Sequence, residues 1–347
     1  MSNPLVSIII PTFNSEKYLK ECLDSAVNQT LKNIEIIVVD SASKDKTIQI
    51  VEEYAKLDNR IRLIKRGKEW VGISRNYALD KATGNYIMFL DSDDILGLNA
   101  CEVCYTKIEK DSSDFVLFGN YKNGNKVYNK HIEICKKIED KVVNPAEIAE
   151  LISALSAEPW KKIYSREFLN KNNIRFSELS FGEDVIFSWK TTLLAKRFSV
   201  INKFLYDYRL INNGVGCSSI TSRYKDNLKA FYEVEQFLLN IDNSNVFMIP
   251  FIKEWVNNLF YWIDKINLKE RYEYLKNIRD IFVYLNNKYS LALIFDAGRF
   301  GEIYKFIHNF DLYKPVVWSN WLITIEDFPF CTHKIYSILG IKIKRRK

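Results

Sequence analysis

Met88-Phe89-Leu90-Asp91-Ser92-Asp93-Asp94 is an apolar run that stops abruptly in carboxylates. The run reads as the end of a buried strand, and in an open parallel α/β sheet ligands collect outside the carboxyl ends of the strands. Acidic residues at such an end therefore face a ligand crevice. Side chains two apart on a strand share a face, so Asp91 and Asp93 can converge on one ligand as the chain turns away. Carboxylate oxygens suit magnesium or manganese, which in turn bridge substrate phosphates. Taken alone, the D-x-D tripeptide also fits a solvated loop, because turns favour Asp and Ser. Its neighbours decide between the two.

Upstream of this strand the chain alternates strand and helix signals with short connections. Val6 to Ile10 is a continuous apolar run, suited to a strand buried on both faces and broken at Pro11. Tyr18, Leu19, Cys22, Leu23, Ala26 and Val27 recur at helical spacing within 15–30, giving an amphipathic helix. Strands are then expected over 34–39, 61–64 and 86–90, with helices around Ile48 to Ala55 and Ile73 to Ala82. Strands alternating with helices imply βαβ units and a Rossmann-like, mostly parallel sheet flanked by helices. The first turn, Pro11-Thr12-Phe13-Asn14, has no G-x-G-x-x-G, which disfavours a dehydrogenase, and no G-x-x-x-x-G-K-[ST] occurs anywhere, which excludes a P-loop kinase. Asn120, Asn123, Gly124 and Asn125 predict a hairpin, and helical signals return at Pro145 to Leu155. Beyond Tyr224 apolar and aromatic residues such as Phe231, Val234, Trp255, Leu259 and Trp262 take helical spacings, so 224–330 is expected to be a helical C-terminal region.

Composition bounds the function. The 347 residues are 47% hydrophobic and 27% charged, an ordinary globular balance. Leu5 to Ile10 is too short for a secretory leader, and no run reaches the roughly 20 apolar residues a membrane helix needs. The expectation is a cytoplasmic protein. Six scattered cysteines make no disulfide framework, and Cys101-x-x-Cys104 lacks a second ligand pair, so helical core spacing accounts for it. Three histidines make a His-based metal site or Ser-His-Asp triad improbable, leaving the chemistry to carboxylates. The net charge of +7 is concentrated at the end, where Ile341-Lys342-Ile343-Lys344-Arg345-Arg346-Lys347 follows Ile335, Tyr336, Ile338 and Leu339. A basic amphipathic tail over 331–347 fits either a solvated end or a segment lying on the inner, anionic face of the cytoplasmic membrane. No basic stripe with interleaved aromatics suggests nucleic acid.

Val6-Ser7-Ile8-Ile9-Ile10-Pro11-Thr12-Phe13-Asn14, Ile36-Ile37-Val38-Val39-Asp40, Ser74-Arg75-Asn76, Ala82-Thr83-Gly84-Asn85-Tyr86 and Phe89-Leu90-Asp91-Ser92-Asp93-Asp94 together resemble the inverting GT-A glycosyltransferases of glycosyltransferase family 2. Trp160-Lys161-Lys162-Ile163-Tyr164, Phe181-Gly182-Glu183-Asp184-Val185 and Tyr206-Asp207-Tyr208-Arg209 look like its later landmarks, so the likeness spans about residues 4–215. The resemblance implies a GT-A nucleotide-sugar-binding and catalytic domain over 1–223. By it, Pro11 and Thr12 line the nucleotide base pocket, Asp40 lies beside the base or ribose, Arg75 holds the nucleotide, and Asp91 with Ser92 meets the ribose. Asp93 would hold a Mn2+ or Mg2+ ion that bridges the diphosphate. Asp184 matches the general base, with Glu183 as second choice or orienting partner.

One carboxylate base taking the proton of an acceptor hydroxyl that attacks in line gives inversion in a single displacement. Read without the resemblance, Glu183-Asp184 is the acidic start of a helix. Two departures stand out. Ser41 replaces a second aspartate that often follows the one matching Asp40, which weakens the inference of a uracil base, although a UDP-sugar is still favoured. Trp70-Val71-Gly72 replaces a more usual Asn- and Gly-rich approach, and Trp70 is either a stacking platform or a loop anchor. The expected activity is transfer of a sugar to a hydroxyl of a growing bacterial surface glycan (capsule, lipooligosaccharide or O-antigen). The alternatives are a sugar nucleotidyltransferase, whose glycine-rich basic loop is missing here, and a non-catalytic sugar-nucleotide or membrane-binding module.

Overall fold

The computed structural model describes residues 3–127, 130–152, 158–210, 223–242, 244–263, 265–266, 268–308, 316–318, 321–326, 333–338 and 341–346. Cys217, Cys331 and, in the tail, Leu339, Gly340 and Lys347 lie outside the described residues. The chain divides into two units, one of Met1–Gly216 with Lys225–Phe247 and one of Cys217–Tyr224 with Met248–Lys347.

The first unit opens with β1 (Val6–Thr12), α1 (Leu19–Val27), β2 (Ile34–Asp40), α2 (Thr47–Leu57), β3 (Ile61–Lys65), α3 (Val71–Lys81) and β4 (Tyr86–Phe89), as the alternating pattern predicts. It continues with β5 (Ile95–Leu96), α4 (Ala100–Asp111), β6 (Phe115–Lys122), β7 (Asn125–Lys126), α5 (Lys130–Lys137), α6 (Ala149–Ile152), β8 (Lys162–Ser165), α7 (Arg166–Lys171), α8 (Glu183–Leu194), β9 (Phe198–Tyr208) and α9 (Tyr224–Leu239). Sheet order is β3-β2-β1-β4-β8-β6-β9-β5, with β7 paired to β6. The first four strands are parallel, while β8 runs antiparallel to both β4 and β6. The sheet is thus parallel in its N-terminal half and mixed beyond it, the arrangement the GT-A resemblance implies.

β1 is buried along its whole length, as its unbroken apolar run requires. Its register sets Thr12 opposite Asp40 of β2 and Ile9 opposite Phe89 of β4. Thr12, Asp40 and the acidic turn after β4 therefore line one edge, at the carboxyl ends of the parallel strands. Cys101 and Cys104 are both fully buried on α4, as core spacing predicts. The predicted hairpin joins β6 to β7 through Asn123 and Gly124, both at positive φ, the geometry two-residue hairpin turns need.

Helix α9, which the change of sequence character groups with the C-terminal region, packs in the first unit: the Ser180 amide and hydroxyl both donate to Asp226, at 3.1 and 2.6 Å. A further helix, α10 (Ser244–Ile263), leads into the second unit, which continues with α11 (Leu268–Tyr289), α12 (Leu291–Ile294) and α13 (Ala297–His308). Helix gives way to strand well before residue 330. β10 (Val316–Trp318), β11 (Trp321–Glu326), β12 (His333–Ile338) and β13 (Ile341–Arg346) form a four-stranded antiparallel sheet. The segment is rich in β-branched and aromatic residues and alternates with period two, and the tail's Ile-Lys-Ile-Lys run alternates likewise. The basic tail is thereby the last hairpin of a sheet. Among the described residues no helix is long and apolar enough to cross a membrane.

Candidate active site

The site grows from the carboxyl edge of the parallel strands. Pro11 and Thr12 are buried at the end of β1, and Thr12 Oγ1 donates to Asp40 Oδ2 at 3.1 Å. Asp40 is itself fully buried and also accepts from the Ser43 amide and hydroxyl, so it fastens the loop after β2 to the end of β1. Ser41 is bonded to Ser74 at 2.8 Å, and Ser74 to Glu69 at 3.1 Å, which ties this loop to α3. Trp70 stands 42% exposed immediately before that helix.

Arg75, on α3, is the centre of the charge distribution. It is buried, and its two terminal nitrogens divide between Asp91 Oδ1 at 2.7 Å and Glu183 Oε1 at 3.2 Å. A planar guanidinium presents donors on separate nitrogens in a rigid fork, so one side chain serves two carboxylates in fixed directions. Residues from α3, the turn after β4 and the start of α8, 16 and 108 positions from Arg75 in the last two cases, are joined by this one side chain. Its helix comes close because residue 72 is glycine: a Cβ there would lie 2.6 Å from the Ser177 carbonyl oxygen and 3.0 Å from Glu183 Cγ.

Asp91 to Asp94 form a turn closed by the Asp94 amide donating to the Asp91 carbonyl at 3.0 Å. The three aspartates have different surroundings. Asp91 is held by Arg75, while Asp94 is fully buried and accepts from the Tyr206 hydroxyl at 2.8 Å and the Arg209 amide at 2.7 Å. Asp93 makes no ion pair among the described residues, and burial together with the Asp91 charge pushes its carboxyl up to about 6. Ser92 pairs with Ser15 at 2.7 Å, joining the turn to the loop after β1.

Glu183 and Asp184 open α8, preceded by Gly182 at φ +83°, a left-handed position that admits glycine without strain. The helix is fixed from below by aromatic packing. Phe187 stacks on Phe176 at 3.9 Å and meets Phe89 of β4 edge-on at 5.7 Å, so the strand that delivers the acidic turn also anchors the helix that delivers Asp184. Burial, and then the adjacent Glu183 charge, push Asp184 up to about 8, against the pull of Arg75. Burial likewise raises Glu183, while Arg75 draws it down. Lys162 of β8 lies beneath, buried, and donates to Ser188 at 2.7 Å, one helical turn after Asp184; burial lowers its ammonium to about 7.

The donor set fits a divalent cation. Asp93 presents a partly buried carboxylate that is in no ion pair among the described residues; the Arg209 charge draws it down, but burial and the like charge of Asp91 outweigh that pull, and a bound cation would relieve the repulsion. No group of three or more His, Cys, Asp or Glu side chains gathers as a cage among the described residues. A magnesium- or manganese-type site asks for only one or two carboxylates, acting together with waters and substrate phosphates.

The sequence-predicted residues thus fall into two linked groups. Arg75, Asp91, Asp93, Glu183 and Asp184 are brought together, and Ser92 joins them through its turn. Pro11, Thr12 and Asp40 form the adjoining floor. Sequence reasoning gave no role to Tyr206, Asp94 or Lys162. All three lay inside quoted motifs, but the pairing of Tyr206 with Asp94 depends on β9 meeting β5, where Leu96 is opposite Tyr206.

Residues 7–172 match the family model described as glycosyl transferase family 2. The chain is 31% identical over 254 residues to the putative glycosyltransferase EpsH of Bacillus subtilis (strain 168), covering 70% of this chain and 72% of that protein. It is 31% identical over 289 residues to the poly(ribitol-phosphate) beta-N-acetylglucosaminyltransferase TarS of Staphylococcus aureus (strain Mu50 / ATCC 700699), covering 79% of this chain but only 48% of that protein. Among solved structures, S. aureus TarS 1-349 in complex with UDP-GlcNAc aligns with a TM-score of 0.72 at 24% identity, covering 93% of this chain and 98% of that one. This last likeness is one of fold.

Proposed function

The chain belongs to glycosyl transferase family 2 and is a glycosyltransferase, and from that premise we propose that it moves a sugar from a nucleotide-sugar donor, a UDP-sugar in the first instance, to a hydroxyl of a growing bacterial surface glycan. The observation that carries this reading is the Arg75 bridge, which sets the Glu183-Asp184 helix start beside the acidic turn. A TarS structure binding UDP-GlcNAc supports the donor class, and the poly(ribitol-phosphate) substrate in the name of TarS supports the acceptor class.

In this reading Pro11, Thr12 and Asp40 receive the nucleoside, Arg75 and Asp91 orient the donor, and Asp93 holds Mn2+ or Mg2+. A bound divalent ion would supply positive charge where the leaving diphosphate develops negative charge. Asp184 accepts the proton of the acceptor hydroxyl as its oxygen bonds to the anomeric carbon; the bond from that carbon to the diphosphate oxygen breaks, and the nucleoside diphosphate leaves. One displacement inverts the anomeric configuration. Glu183, held by Arg75, keeps its neighbour aimed. Residues 1–223 carry this chemistry, and the basic hairpin that includes Lys342, Lys344, Arg345 and Arg346 contacts anionic lipid where the acceptor is lipid-linked.

The test is incubation of the protein and Mn2+ with a panel of nucleotide sugars and lipid-linked or glycan acceptors, with product anomers read by NMR. An inverted product made by the wild type and lost in Asp184→Asn with donor binding intact is the expected result. A retained configuration, or turnover by Asp184→Asn within a few-fold of wild type, would overturn it. Removal of residues 331–347 should release the protein from anionic vesicles; unchanged binding would discard the lipid contact.

A further inference from the structure

The turn Asp91–Asp94 is clasped at both ends by a single phenol. The hydroxyl of Tyr206 accepts from the Asp91 amide at 3.1 Å and donates to Asp94 Oδ2 at 2.8 Å. A phenol has one proton to give and lone pairs to receive, so this one oxygen serves both groups. Asp93, which accepts no hydrogen bond from another side chain among the described residues, lies between them in the turn. We propose that Tyr206 is a positioning residue for the cation site, whose hydroxyl holds the acidic turn in the form that presents Asp93. The inference rests on the reading of Asp93 as the residue that meets the cation.

The phenol is itself fixed from three sides. Its ring is fully buried and stacks on Trp160 with centroids 4.4 Å apart and planes at 18°, and Trp160 also lies parallel to Tyr208 at 5.6 Å. Its backbone pairs with Leu96, two residues beyond the turn. Asp94, the other end of the clasp, is held a second time by the Arg209 amide. Three residues of the Tyr206-Asp207-Tyr208-Arg209 motif therefore converge on the turn or its support. The third carboxylate of the acidic run is fully engaged in this support, which separates its task from that of Asp93.

Supporting residues of this kind typically alter metal affinity by about tenfold to a hundredfold when removed. Tyr206→Phe deletes one oxygen and keeps the ring in its stack. Mn2+ added alone to the full chain and followed by electron paramagnetic resonance should bind about tenfold or more weakly in Tyr206→Phe, with the thermal midpoint shifted by no more than a few degrees. Asp93→Asn serves as the reference and should lose the ion. If the wild type binds no Mn2+, or Asp93→Asn binds it as the wild type does, the cation reading falls and this inference with it. If Asp93→Asn loses the ion while Tyr206→Phe keeps wild-type affinity, the positioning role alone is refuted. Should Tyr206→Phe not fold, Asp94→Ala removes the hydroxyl's other anchor and must show the same weakening; wild-type affinity there would also refute it.

Discussion

Replacing Arg75 by Met tests whether one guanidinium holds the site together. The side chain is 5% exposed and serves Asp91 at 2.7 Å and Glu183 at 3.2 Å, with the Phe176 ring 5.2 Å away. Met keeps the apolar stem and removes the charge together with the N–H groups that bond both carboxylates. Stripping one partner from a buried ion pair costs about 3–5 kcal/mol, because the remaining charge is left uncompensated. Glu183 can escape by taking up a proton, since burial already raises it and Arg75 is what opposes that.

The sign follows from that escape. In the variant the folded carboxyl lies above its unfolded value of about 4.3, so the penalty appears as pH rises above that value and fades below it. At pH 5 a fully escaped carboxyl costs about 0.7 × 1.36, or ~1 kcal/mol; at pH 8 the same rule caps the cost at about 5 kcal/mol. Urea unfolding of Arg75→Met and wild type at the two pH values should therefore give a difference of ~3–5 kcal/mol at pH 8 that shrinks to ~1–2 kcal/mol at pH 5. A difference that is equal at both pH values, or below ~1 kcal/mol at pH 8, would refute the bridge as the organising contact.

Other expectations concern the two helices that meet at this bridge. Asp184, raised to about 8, should give a kcat/KM that climbs with pH on a limb centred near that value, because the protonated carboxyl cannot accept the acceptor's proton; a flat profile from pH 6 to 9 would count against it. By the same shift, ionising Asp184 opposes folding as pH rises above ~4, so Asp184→Asn should be more stable than wild type, with the gap widening toward pH 8 in thermal melts. Gly72→Ala places a methyl group 2.6 Å from a backbone oxygen and should cost ~1–3 kcal/mol and most of the activity, measured by urea unfolding and turnover. Phe187→Ala removes a fully buried ring that packs on Phe176 and Phe89 and should lower stability by ~3–5 kcal/mol in the same assay.

Much of the N-terminal, parallel half of the sheet was legible because its signals are local. An unbroken apolar run such as Val6 to Ile10 has no other comfortable home than a strand covered on both faces, and β1 is buried throughout. The acidic stop after Phe89 is local as well. Tyr206 carried no comparable signal: its role appears only when Leu96 pairs with it across more than a hundred residues. Lys162 was equally silent, since a lysine in sequence reads as surface and only the packing of α8 over β8 buries it. The strands after Val316 were missed for a different reason. Trp318 and Trp321 lie three apart, a helical spacing, and short apolar runs do not separate the two periods; here they are opposite each other in an antiparallel pair.

The five carboxylates of the site carry a division of labour that their sequence positions do not express. Asp91 and Glu183 share Arg75, and Asp94 is bonded to Tyr206 and the Arg209 amide. Each is engaged by neighbouring donors, which makes all three scaffold as well as lining, although burial still raises Glu183 and, with the Asp91 and Asp93 charges, pushes Asp94 up to about 8. Asp93 and Asp184, like Asp94, have no ion pair among the described residues, but unlike Asp94 they accept no hydrogen bond from another side chain there, and burial raises both. A folded chain keeps an unanswered buried acid at a cost in stability, which is tolerated where a ligand completes the balance. A cation would complete it at Asp93. At Asp184 the balance is completed by the proton that an acceptor hydroxyl gives up, so the two roles follow from which acids the protein leaves unpaired.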